Sequence, residues 1–189
     1  MSVTRNALIF GLFAAAASPA AAHVDPVAHG SLAGIAHPFM GLDHVIAMVA
    51  VGLWAVAMGG RAMIALPGAF VGAMVAGFGL ALWGVTLPVV EPMIAASVVA
   101  LGVAVALAAR LDMRFGVGIV ALFGLFHGAA HGAELGGAGA LAFGAGFVVA
   151  TVALHLAGMG LGAVIARSTA AMRVAGAVTA VAGVALAVA

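Results

Sequence analysis

The sequence predicts an all-α fold: a polytopic transmembrane helical bundle of six spans behind a cleavable N-terminal signal peptide, residues 1–22. Three observations lead there. Of the 189 residues 67% are hydrophobic and 6% charged, with 28 Gly, no Lys and no Cys, which is membrane-protein composition. Apolar stretches long enough to cross a hydrocarbon core of about 30 Å recur with brief interruptions. The arginines sort into alternate loops.

Residues 1–22 have a charged start at Arg5, an apolar stretch Ala7–Ala17, a breaker at Ser18-Pro19 and the small residues Ala20-Ala21-Ala22, the layout of a cleaved signal. The mature chain then begins at His23. Residues 23–36 are expected as a periplasmic N-terminal tail and residues 37–189 as the transmembrane domain. Its spans are expected at Phe39–Met58, Ala62–Gly84, Val89–Ala109, Phe115–Ala133, Ala138–Ala166 and Ala170–Ala189, the fifth over-long and the sixth carrying Arg173 near its start. With the mature N-terminus outside, six alternating spans put Arg61, Arg110, Arg114, Arg167 and Arg173 inside, together with Asp112. Asp25, Glu91 and Glu134 fall outside, and so does the C-terminus. The loops are too short for a soluble domain. Gly68 with Gly72, and Gly158, Gly160 and Gly162, are expected where helix backbones approach closely. Two halves of three spans, opposite in orientation and each opening with a His-bearing span, are compatible with an inverted repeat, although the second span has no counterpart to the His of the fifth.

Charge excludes little beyond this. Removal of Arg5 leaves five Arg against five acidic residues, and nothing in the pattern points to nucleic acid. Without Cys there are no disulfides and no thiolate ligands, so metal chemistry would fall to imidazole and carboxylate.

The polar groups inside the spans carry the chemistry. Counting about 1.5 Å of rise per residue across the core, Asp43 and His44 of the first span, His127 and His131 of the fourth and His155 of the fifth all fall in the outer half of the membrane. His127 and His131 stand at i and i+4, on one helix face, and Glu134 continues that face outward. Pro38 and Gly41 interrupt the helix between His37 and Asp43, which frees His37 to fold over the site, as broken helices do in transporters. Intramembrane ionisable groups are costly, and a shared cation accounts for so many at one depth. A lone His155 could equally be a hydrogen bonder between helices, and Asp43 a helix cap or the partner that fixes a neighbouring imidazole. Met48 and Met159, each four residues after a His, are expected to pack. Glu91, just before Pro92, is expected to begin a helix. A freed N-terminal amine beside the imidazole of His23 would make a chelating pair, while His29 lies in the same tail.

The stretches HPFMGLDHVIAMVAVGLWA (His37–Ala55), FGLFHGAAHGAEL (Phe123–Leu135) and GFVVATVALHLAG (Gly146–Gly158) together resemble the HupE/UreJ family of nickel permeases, over most of the mature chain. The resemblance implies a bacterial inner-membrane protein with a cleaved signal, moving nickel(II) inward to supply hydrogenase or urease. It also implies that His37, Asp43, His44, His127, His131 and Glu134 belong to the metal path. The residues themselves leave nickel, cobalt, copper(II) and zinc open.

The expected mechanism is a permease, with the lipid bilayer as its surroundings, nickel or cobalt as its cargo and no prosthetic group. The ligands should divide between spans that can rock apart, so that binding stays moderate. Imidazoles, with a reference pKa of about 6.5, would protonate below roughly pH 6 and transport would fall. The rival from another class is an intramembrane His-cluster metalloenzyme with Glu134 as base. A haem protein with axial His is a second rival.

Overall fold

A computed structural model describes residues 30–135 and 139–188. The expected signal peptide, His23 and His29 lie outside the described residues. Among those residues every regular element is helical: α1 (Ser31–Ala36), a 3-10 turn (His37–Phe39), α2 (Leu42–Met58), α3 (Ala62–Leu82), α4 (Val90–Ala106), α5 (Met113–Leu135), α6 (Ala140–Ile165) and α7 (Thr169–Val188).

Local chemistry sets the boundaries. Pro38 has no N–H to give a continuing helix, and Gly41 is extended at φ −101° and ψ 115°, so the chain bends by 85° between Ser31–Phe39 and Leu42–Met58. Gly59 (φ 71°), Gly84 (φ 81°) and Gly139 (φ 72°) take left-handed backbone at breaks between helices. Residues 31–36, assigned by sequence to the tail, instead form α1, which lies against α6.

Four helices, α3, α5, α6 and α7, are long and apolar enough to cross a membrane, and the bent Ser31–Phe39 and Leu42–Met58 pair makes up to five. The sequence predicts six spans. The difference lies in α4, which has 17 residues where Val89–Ala109 was expected to span. Left-handed residues stand at both its ends, Val89 (φ 56°) and Ala108 (φ 48°), and at about 1.5 Å per residue it falls short of a hydrocarbon core of about 30 Å.

The core centres on α2, where Ala47, Met48, Val51, Trp54 and Ala55 are fully buried. A helix apolar all round is an interior helix. Around it the others pack in pairs, α3 with α5 and α4 with α7, while α6 packs on α2 and α1. Glycines make these contacts. A methyl at Gly124, Gly128 or Gly132 of α5 would run into the carbonyl oxygens of Phe70, Met74 and Phe78 of α3. Gly102 and Gly176 do the same for α4 and α7, as do Gly52 and Gly158 for α2 and α6. Gly68, Gly72 and Gly160, expected at close contacts, have nothing within 4 Å of an added Cβ. GxxxG spacing reveals that a helix can be approached, not which face its neighbour takes.

One end of the bundle gathers the arginines. The Trp54 indole N–H donates to the Ala109 carbonyl (2.9 Å), Gly116 lies against Met58 and Leu66, and Gly162 against Val56. The α2–α3, α4–α5 and α6–α7 connections therefore share an end, and with them Arg61, Arg110, Arg114, Arg167 and Arg173.

Candidate metal centre

At the other end α5 turns its glycine face to α3 and its histidine face to α2. His127 Nδ1 donates to the Phe123 carbonyl one turn back (2.9 Å), which leaves the ring lone pair on Nε2. His44 is held likewise: its Nδ1 donates to Asp43 Oδ1 (2.6 Å), and the same oxygen accepts the His44 backbone N–H (2.8 Å). Asp43 thus orients a neighbouring imidazole, one of the roles weighed for it from sequence. The Nε2 atoms of His44 and His127 have no protein partner, and the two rings are 5.0 Å apart between centroids.

His131 stands beside both halves of the cluster. Its ring is 4.5 Å from that of His44 and 4.7 Å from that of His37, and it lies over Phe147 at 4.2 Å. Neither of its nitrogens has a hydrogen-bond partner, Glu134 Oε2 being 3.6 Å from Nδ1. The bend at Pro38 and Gly41 carries His37 over this face, where its Nε2 donates to Glu134 Oε2 at 3.0 Å. His37, His131 and Glu134 offer one ligand atom each, all within 4.8 Å of one another. Exposure falls inward: the side chains of Glu134, His37 and His131 are 52%, 19% and 4% accessible, and His127 is sealed. The polar groups form a series that starts at the surface and ends inside.

The structure thus brings together His37, Asp43, His44, His127, His131 and Glu134. His155 is set apart. It is buried, both its nitrogens lack partners, and its ring packs on Phe70 at 5.2 Å, the same distance at which Phe70 meets His127. Phe70 and Phe147 were not singled out from sequence. Both are ordinary apolar residues of apolar spans, and only the pairing of α3 with α5 and of α6 with α2 puts them beside the imidazoles. Met48 is in the core, as its expected packing role requires. Glu91 lies exposed in the first turn of α4, the helix start expected of it.

Six buried ring nitrogens without partners, on His44, His127, His131 and His155, are a cost of about 1–3 kcal/mol each where no water reaches them. Neutral imidazole lone pairs with one or two carboxylates are a donor set for a divalent transition-metal ion, and such an ion would take up the free lone pairs of the clustered rings His44, His127 and His131.

The family model described as HupE / UreJ protein matches residues 11–186. Among curated proteins, Protein HupE of Rhizobium leguminosarum bv. viciae is 45% identical over 178 residues, 89% of this chain and 90% of that one. No solved structure matches.

Proposed function

Since the chain belongs to the HupE/UreJ family, we propose that it is a bacterial inner-membrane permease for divalent transition-metal cations, carrying nickel(II), with cobalt(II) as the second cargo, inward to supply hydrogenase or urease. The observation that carries this is the graded row of side chains from exposed Glu134 through His37 and His44 to buried His131 and His127, with unpartnered ring nitrogens along its buried part. An ion arriving from outside meets a carboxylate first, which offsets part of its charge while it still holds water. Imidazole nitrogens then replace the water in turn. His155 receives it beyond Phe70.

Donor type alone suits several metals, so the choice of nickel rests on the family. The proposed topology has six spans after removal of residues 1–22, with α4 as a short span, both mature termini periplasmic and the arginine end cytoplasmic. No prosthetic group and no catalytic residue enter this account. Glu134 serves as a ligand rather than a base.

The test is accumulation of radiolabelled nickel and cobalt in cells lacking other importers, comparing wild type with His127→Ala, His131→Ala and Asp43→Asn at matched membrane levels. Each substitution should lower nickel uptake by about tenfold or more, the loss typical of removing a metal ligand's support. Undiminished uptake in all of them ends the site assignment.

A further inference from the structure

The glycine contacts divide the bundle into bodies, and the ion ligands divide with them. α3 and α5 touch backbone to backbone at Gly77, Gly124, Gly128 and Gly132. α6 touches α1 at Gly34 and Gly146, and α2 at Gly52 and Gly158. Helices meshed at this closeness cannot slide past one another without a backbone clash, so each set moves as a unit. His37, Asp43, His44 and His155 lie on the α1–α2–α6 body. His127, His131, Glu134 and Phe70 lie on the α3–α5 body.

Contact between these bodies is of another kind. α3 and α6 meet where the Thr151 hydroxyl donates to Met74 Sδ (3.6 Å) and where the Phe78 and Phe143 rings stack, and beside these contacts an apolar crevice of about 370 Å³ is lined by Met74, Val75 and Phe78 on one side and Gly144, Ala145 and Val148 on the other. The site crosses the boundary, beside the apolar packing of α2 on α3: His37 meets Glu134, His44 meets His127 and His131, Phe147 meets His131, and His155 meets Phe70. The pairing is partly symmetric: exchanging α2 with α5, α3 with α6 and α4 with α7 turns the α2–α6 pair into the α5–α3 pair and leaves the α4–α7 pair unchanged, while the packing of α2 on α3 and α4 has no counterpart of α5 on α6 and α7.

We infer that the cation is passed by movement of the α3–α5 pair against the α1–α2–α6 body, with the crevice between α3 and α6 as the space that opens and closes. An ion bound between the bodies takes donors from both and draws them together. Two bodies related by exchange of opposed three-helix halves can swap roles, so the movement that closes the outer mouth opens the inner one. This rests on the permease reading above.

The chain has no Cys, so introduced pairs report without background. Val75→Cys with Ala145→Cys spans the crevice. Ala81→Cys with Ala133→Cys lies within the α3–α5 body, on the turns where the backbone at Gly132 abuts Phe78 and Ala81. In full-length protein reconstituted into vesicles, a short cleavable bismaleimide across Val75 and Ala145 should slow nickel entry by about tenfold or more, and cleavage should restore it. The Ala81–Ala133 staple should leave entry unchanged, and nickel binding in detergent should survive both. Full transport with the crevice stapled overturns the inference, as does equal loss with both staples. Spin labels on the same pairs keep the two readings apart. If the unstapled protein neither binds nor carries nickel, the permease reading has failed, and the label distances still decide the movement: a broad or two-peaked distribution across the crevice beside a narrow one within α3–α5 supports it, and two narrow ones refute it.

Discussion

Asp43 and Glu134 are both carboxylates, yet the structure places them differently. Glu134 is at the open end, bonded to His37, whereas Asp43 is half-buried and bonded to His44 Nδ1. For transport these positions predict different defects. Glu134→Gln should raise the nickel concentration giving half-maximal uptake, because it weakens capture. His155→Ala should lower the maximal rate with little change in that concentration, because the ion meets it after Phe70. Concentration series of initial uptake rates separate the two, and matching defects would contradict the inward order of steps. Protons compete with metal for the ring lone pairs, so uptake should fall as the medium is acidified. Much of this was legible in the sequence. The i, i+4 spacing of His127 and His131 and the breaker pair Pro38 and Gly41 announced a shared face and a folded-over His37. Phe70 was illegible, because its meaning depends on which helix faces α3, and no spacing within α3 records that.

Helices assemble here through glycines that spacing alone ranks wrongly. Gly68 and Gly72 form the obvious pair and face open space, while Gly124, Gly128 and Gly132 recur every fourth residue and mesh with the α3 backbone. The contrast is measurable. Gly128→Ala drives a methyl into the Met74 carbonyl, and neither backbone can yield without parting α3 from α5, so the protein should melt several degrees lower in detergent or fail to assemble. Gly68→Ala adds a methyl with nothing within 4 Å and gains helix propensity of up to about 1 kcal/mol, so its melting temperature should hold or rise. Equal melting of the two variants would mean that the α3–α5 contact is looser than described. The bend before α2 makes a subtler case. A methyl at Gly41 would sit 2.7 Å from both Asp43 Oδ1 and His44 Nδ1, side-chain atoms that can shift. Gly41→Ala should therefore fold normally and bind nickel more weakly, a loss seen by calorimetry but not by melting.

For the whole molecule, the span count and the distribution of charge have to agree. Hydropathy predicted six crossings, and length admits four helices, or five with the bent pair, leaving α4 as the element in dispute. If α4 failed to cross, the α2–α3 and α6–α7 connections could not both be cytoplasmic, and arginines would be carried to the outside against the usual bias. Trp54, Ala109, Gly116 and Gly162 hold these connections at one end of the bundle, the arrangement that the proposed topology requires. A short helix can cross where the bilayer thins or its neighbours shield its ends, at a cost of fractions of a kcal/mol per Å of mismatch. Cysteine labelling of this Cys-free chain gives the decision. Gly60→Cys and Ser168→Cys, on the α2–α3 and α6–α7 connections, should resist an impermeant maleimide in spheroplasts and react once the membrane is permeabilised. Trp83→Cys, at the far end of α3, should react from outside at once. Labelling of Ser168→Cys from outside, with Gly60→Cys protected, would mean an odd number of crossings between them; α4 would then be a re-entrant or surface helix, and the inward path beyond His155 would have to be redrawn.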